Sequence, residues 1–279
     1  MKKEARAAAY DGGLRVEAYR FEGIAQPFPN HFHEYYVIGL VEDGERTLTC
    51  GGGEYTVKRG DVLLFNPGDS HACVQSGGAL DYRGLNIARD VMLDLAEEAA
   101  GIRELPGFSR CAVSDGEAAR LLRSFHQLVM EGSREPGKRE KLLLLLSLLI
   151  RKYGRPPQAP LPERRDEVEE VCAFMEQRCA ERIRLDELCR RAGLSKSTLL
   201  RAFVRAKGVT PYRYLENIRV GRARRLLEQG VPPAEAALRT GFSDQSHFTN
   251  CFGRFIGLAP GKYRDIFTDR DMEETPHEE

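Results

Sequence analysis

A chain of 279 residues with 42% hydrophobic and 30% charged residues is too long for one ordinary compact core, suits two, and is neither disordered nor fibrous in composition. Its 42 Lys and Arg balance 42 Asp and Glu, yet residues 182–264 alone hold 17 basic against 6 acidic residues, a net +11 that the remaining chain offsets with −11. That block asks for a polyanion. No apolar run nears the roughly 20 residues a bilayer requires, and no apolar stretch follows Lys2 and Lys3 as in a secretory signal, so a cytoplasmic protein without membrane contact is expected. Seven cysteines without a C-x-x-C pair fit reduced thiols rather than a disulfide framework or a zinc finger.

Residues 14–87 read as short strands, with Tyr35–Val41, Thr47–Cys50, Glu54–Val57 and Asp61–Phe65 punctuated by Glu42-Asp43-Gly44-Glu45, Gly51-Gly52-Gly53 and Lys58-Arg59-Gly60. Strands at this pace without helices point to a small antiparallel β-sandwich or β-barrel. Ser114-x-x-Glu117 then reads as a capping box opening a helix striped by Leu121, Leu122, Phe125, Leu128 and Val129. A second helix, Lys138 to Tyr153, is apolar on two sides. Such a helix packs inside its own domain, or it offers Leu143, Leu144 and Leu148 to a second subunit; a homodimer is expected on the latter reading. Proline-rich residues 156–162 read as a linker, 163–268 as helical throughout, and 269–279 as an acidic tail.

Inside the basic block, Phe203-x-Arg205-x-x-Gly208-x-x-Pro211-x-x-Tyr214 returns as Phe252-x-Arg254-x-x-Gly257-x-x-Pro260-x-x-Tyr263, five identities at a period of 49. Upstream, Gly193-Leu194-Ser195 matches Gly241-Phe242-Ser243 with one extra residue before Phe252. Short helix, glycine turn and serine-capped second helix make a helix-turn-helix, whose second helix enters the DNA major groove. In the first unit Leu199, Ala202, Phe203 and Ala206 form the core stripe, so Ser197, Arg201 and Val204 face outward with Leu200 on the flank. In the second, Phe248, Cys251, Phe252 and Phe255 turn inward, and Ser246, Asn250 and Gly253 outward, with His247 on the flank. Arg suits guanine O6 and N7, Asn suits adenine N6 and N7, and Leu suits a thymine methyl; Arg205 and its basic neighbours suit phosphate.

The run Gly241-Phe242-Ser243-Asp244-Gln245-Ser246-His247-Phe248, followed by the second repeat, resembles the AraC/XylS family of bacterial transcription regulators. The resemblance implies two helix-turn-helix units joined by a long helix, Tyr212 to Glu228, and base reading by Ser197, Leu200, Arg201, Ser246, His247 and Asn250. The N-terminal half resembles the cupin barrel that such regulators use as a sensor: His31-x-His33, Gly44, Gly60, Gly68 and His71 follow its two motifs, while Val37 stands in place of the metal-ligating glutamate and Asn66 and Gln75 replace a Pro and an Asn. Three readings of the histidines stay open: a zinc-like site completed by Cys73 or water, hydrogen bonds to an organic effector joined by Tyr35, or a structural role.

The expected protein is therefore a non-enzymatic, sequence-specific DNA-binding regulator. Residues 1–155 form a cupin-like effector-binding and dimerisation domain, 156–162 the linker, 163–268 the double helix-turn-helix, and 269–279 the tail. Its expected partners are an operator, a small-molecule effector at His31, His33, Tyr35 and His71, and RNA polymerase, with no cofactor and no metal. A metal-sensing regulator, and a cupin metalloenzyme fused to a DNA-binding domain, are the competing expectations.

Overall fold

In the computed structural model the described residues are 4–135, 137–155 and 165–268, the side chains of 75–77 and 165 excepted. The expected linker and tail lie outside them. The chain forms two compact units, residues 4–28 with 32–155 and residues 165–268 with 29–31.

The first unit is a sheet backed by helices. Its strands are β1 (Ala5–Asp11), β2 (Val16–Ile24), β4 (Tyr36–Cys50), β5 (Gly53–Lys58), β6 (Asp61–Phe65), β7 (His71–Ile87), β8 (Gly107–Phe108), β9 (Ala112–Ser114) and β10 (Gly154–Arg155), while the short β3 (Phe28–His31) carries the residues 29–31 grouped with the second unit. Among them stand helices α1 (Arg89–Ala100), α2 (Gly116–Met130) and α3 (Lys138–Tyr153). The main sheet runs β1-β2-β7-β4-β6-β9, with β3 added on β7 and β5 on β4. The expected barrel is not closed: this order ends at β1 and β9, which do not pair. Glu42-Asp43-Gly44-Glu45 does not end a strand as its turn chemistry suggests. Instead the pairing slips between Val41 and Arg46, so one long ladder continues past a series of bulges.

Alternation along these strands separates two faces. Val16, Ala18, Tyr36, Ile38, Leu40, Val62, Leu64, Leu85 and Ile87 are buried in one core with α1, α2 and α3. His126 of α2 ties helix to sheet: its Nε2 donates to the Tyr19 carbonyl at 2.8 Å, and burial pushes its pKa down to about 4. The cap of α2 is Asp115, not Ser114; its carboxylate accepts from Glu117 N and Ala118 N, each at 3.0 Å. The sequence reading missed α1, although Val91, Met92, Leu95 and Ala96 bury one helical stripe.

Helix α3 spans the expected residues but spends both apolar sides at home, packed against α1 and α2. Leu148 is 4% exposed in the core, Leu143 packs partly against it, and only Leu144, at 59%, faces outward. The ground for placing a second subunit on Leu143 and Leu148 is thereby removed.

The second unit holds α4 (Arg165–Gln177), α5 (Leu185–Ala192), α6 (Lys196–Lys207), α7 (Pro211–Glu228), α8 (Pro233–Arg239), α9 (Gln245–Ile256) and α10 (Pro260–Thr268). The repeat has a structural meaning at four of its five identities. Gly208 and Gly257 take the left-handed conformation, φ 68° and 82°, that closes α6 and α9. Pro211 and Pro260 open the next helices, where a missing N–H costs nothing. Tyr214 and Tyr263 then set their rings edge-on to Phe203 and Phe252, at 5.3 and 5.6 Å. Helix α7 is clamped in turn, Arg219 donating to the carbonyls of Cys179 (2.7 Å) and Glu181 (2.9 Å).

Because Leu148 sits in the core and Leu144 does not, Leu148→Ala should cost about 2–4 kcal/mol of stability and Leu144→Ala less than about 0.5 kcal/mol, read from urea unfolding of the full chain.

Candidate functional site

The candidate DNA-reading face, on α6 and α9, is built by helix caps and core aromatics. Ser195 caps α6, its hydroxyl accepting from Thr198 N at 3.3 Å. Leu199 and Phe203 are buried, so Ser197 and Arg201 are exposed and Leu200 is half-buried beside them. Ala206, expected in the core stripe, is exposed, one residue before α6 ends.

In α9 the cap is Asp244 rather than the expected Ser243. Its carboxylate accepts from His247 N at 2.7 Å, while Ser243 Oγ donates to Asp244 at 3.0 Å. The period of 49 already pairs Ser195 with Asp244, so the extra residue lies in the turn and not in the helix. Ser246 and Asn250 are exposed, and His247 is half-buried with its ring 5.4 Å from Phe242. The same period matches Ser197 with Ser246 and Arg201 with Asn250, but it sets His247 against Thr198 and Leu200 against Thr249. Thr249 and Arg254, the counterparts of Leu200 and Arg205, escaped the sequence reading; both lie at least partly in solvent, as Arg205 does. Lys207 is engaged otherwise, by Glu169 of α4 at 2.8 Å.

The sheet's second face is the candidate small-molecule site. Of His31, His33 and Tyr35, only His31 stands on a strand; β3 ends there, and His33 and Tyr35 lie in the link to β4, while His71 opens β7. The expected single strand face is therefore replaced by a turn, yet the rings still meet. His33 stacks on Tyr35 at 4.8 Å and lies 5.1 Å from His71, which stacks on Phe65 at 3.8 Å. The backbone holds two of the imidazoles: His31 Nδ1 donates to the Pro29 carbonyl at 2.6 Å and His71 Nδ1 to the Asp69 carbonyl at 2.9 Å, each two residues back. Ligand atoms of His31, His33 and His71 lie within 4.8 Å of one another, so among the described residues these three form a group able to hold an ion. Val37 offers no ligand: it is 2% exposed and faces Phe65 across the ladder. Cys73 is not part of the group, and burial pushes its thiol up to about 11.

Four residues missed by the sequence reading extend this face. Glu17 accepts from Asn86 Nδ2 at 2.8 Å, both side chains being buried. The Tyr19 and Tyr82 hydroxyls are hydrogen-bonded to each other, and burial raises both phenols. The two rings lie across Gly84 and Gly39, which stand opposite each other in the β4–β7 register; a Cβ at either glycine would overlap the tyrosine hydroxyl above it. The signal was the alternation Val16-Glu17-Ala18-Tyr19, in which the polar positions share a face. Asn66, a departure from the motif, serves structure instead, gripping Phe108 at N–H (2.7 Å) and carbonyl (3.1 Å).

Residues 14–149 match the AraC-like ligand binding domain family and residues 188–266 a helix-turn-helix domain family. The HTH-type transcriptional regulator YbfI of Bacillus subtilis (strain 168) is 47% identical over 249 residues, 88% of this chain and 90% of that protein. The HTH-type transcriptional activator RhaS of Escherichia coli (strain K12 / DH10B) is 29% identical over 260 residues, 88% of this chain and 89% of that one. Among solved structures, wild-type ToxT from Vibrio cholerae strain SCE256, bound to unsaturated fatty acid, matches with a TM-score of 0.54 at 16% identity, covering 96% of this chain and 99% of that one, a likeness of fold alone.

With Asp244 as the cap of α9, Asp244→Ala should destabilise the helical unit by about 1 kcal/mol, while Ser243→Ala, which removes only a neighbouring hydroxyl, should cost a few tenths, measured by thermal unfolding.

Proposed function

Because this chain belongs to the AraC family of helix-turn-helix transcriptional regulators, we propose that its sheet domain senses a small organic molecule and its paired helices α6 and α9 read an operator. The observation that carries the sensor half is the continuous inner face of His33, Tyr35, His71, Tyr19, Tyr82, Glu17 and Asn86. Aromatic rings provide apolar area there, and a few fixed donors and acceptors provide orientation, the composition of a small-molecule site. That ToxT is found with fatty acid supports an organic occupant for a protein of this fold. In this reading residues 1–155 are the effector domain and 163–268 the DNA-binding domain.

On the DNA side, Arg201 and Asn250 occupy matched, exposed positions of two like helices and take the roles of guanine and adenine readers. Ser197, Leu200, Ser246 and His247 flank them, and Arg205 contacts phosphate. The metal-sensing alternative draws on the three-histidine group alone: three imidazoles suit zinc better than a hard cation. One equivalent of zinc in the purified full chain, lost on mutating any of the three, replaces the organic reading with that one.

Two measurements test the proposal. On an operator selected from random oligonucleotides, Arg201→Ala and Asn250→Ala should each weaken specific binding by on the order of 1–3 kcal/mol and leave random-DNA binding nearly unchanged; equal losses on both would remove them from base reading. In a thermal-shift screen of the full chain against sugars, amines, aromatic acids and divalent metals, the stabilising compound should lose its shift in His33→Ala, while operator affinity stays intact.

A further inference from the structure

We propose that Cys50 and Cys111 form a peroxide-made, thiol-reducible bond, a modification site that staples the histidine-bearing arm of the sheet to the segment leading into β9. Neither sulfur serves DNA reading or the effector face. The two cysteines are 61 residues apart in sequence and joined as a disulfide, with Cα atoms 6.4 Å apart, which corrects the expectation that all seven thiols are reduced.

The bond spans a gap in the hydrogen-bonded sheet. Beyond the bulges, β4 from Arg46 to Cys50 pairs with β5 and with the first part of β7, whereas its pairing with β6 stops at Leu40. Strand β9 joins only β6, at Asp61–Leu63. No ladder crosses from this arm to β9 among the described residues, and the sulfurs do. Reduction does not scatter them. Asn66 grips Phe108 at both backbone groups, Leu64 N donates to the Cys111 carbonyl at 2.9 Å, and β9 stays paired with β6. The thiols thus remain facing each other, at the high effective concentration that lets the bond re-form.

Access is one-sided. Cys50 is 1% exposed, whereas Cys111 is half-buried and meets solvent. The Cys111 thiolate therefore attacks hydrogen peroxide first: an S–O bond forms, the O–O bond breaks, and the departing hydroxide takes a proton as water. The Cys50 sulfur then attacks the sulfenic sulfur, the S–S bond forms, and the second hydroxide leaves as water with the Cys50 proton. Two thiols lose two electrons and one peroxide becomes two waters. Glutathione or another small thiol reverses this by exchange at the Cys111 sulfur. Cys73, Cys172 and Cys251 compete poorly, since burial pushes their thiols up to about 11, 12 and 12. Cys50 stands opposite His71 in the ladder, so the staple braces the strand that presents this histidine. That consequence rests on the effector reading; the bond chemistry does not.

The test uses the full-length protein, reduced with glutathione and then treated with hydrogen peroxide, followed by differential alkylation, peptide mass mapping and hydrogen exchange. The expected result is one linked Cys50–Cys111 peptide pair lacking two hydrogens, reopened by glutathione under native conditions. Oxidation should raise the sheet domain's Tm by roughly 5–10 °C and slow amide exchange at residues 46–50 and 71–74. Both effects should vanish in Cys50→Ser and Cys111→Ser; if either variant fails to fold, the oxidised and reduced wild type decide. The proposal is overturned if peroxide leaves these thiols free or links another pair. It is equally overturned if the bond opens only on unfolding, or if exchange at the arm is the same in both states. A failed ligand screen leaves these readouts untouched and counts against the effector reading alone.

Discussion

Along residues 36–41 of β4 and 82–87 of β7 every second side chain points to the same face, and the sensor domain is built on that constraint. Tyr36, Ile38, Leu40, Leu85 and Ile87 commit one face to the helices, and this burial supplies the drive to fold. The intervening positions, Val37, Gly39, Tyr82, Gly84 and Asn86, are thereby turned the other way whatever their chemistry. A slip of one residue would exchange the faces. The polar face is affordable because its members satisfy one another, Glu17 with Asn86 and Tyr19 with Tyr82, and because two glycines leave room for the tyrosine rings. Core and candidate site are thus two consequences of a single register.

The helical unit solves a different problem, making two like helix-turn-helix units from short helices that would not be stable alone. Each repeat closes its reading helix with a left-handed glycine, opens the next with proline, and folds a tyrosine back onto the phenylalanine it has just passed. The outward faces follow from what is buried: fixing Phe203 and Phe252 fixes Arg201 and Asn250. The extra turn residue before α9 moves the cap from serine to aspartate, and the distance from cap to phenylalanine is conserved between the units as a result.

Where local rules and packing competed, packing won. Glu42-Asp43-Gly44-Glu45 reads as a turn, and Gly44 indeed has a positive φ of 86°, but pairing with β7 on both sides keeps the strand running through it. Ser114 and Ser243 are good caps in isolation, yet the aspartate that follows each provides the stronger, charged acceptor and takes the position. The doubly apolar α3 looked like half of an interface; two helices of its own domain cover most of it, Leu148 included, and leave Leu144 facing outward.

The sequence by itself determined whatever rests on spacing within one element or one repeat. The helix-turn-helix pair, its outward residues, the span of α3 and the basic charge of the C-terminal block are of this kind, because helical period and local charge need no knowledge of distant partners. Only the tertiary structure decided what rests on pairing across the chain. Glu17 meets Asn86 over 69 residues, Cys50 meets Cys111 over 61, and His33 meets His71 from a link and not from a strand. These neighbours are set by strand order and by the bulges in β4, and a bulge is a response to the whole sheet that no single segment encodes.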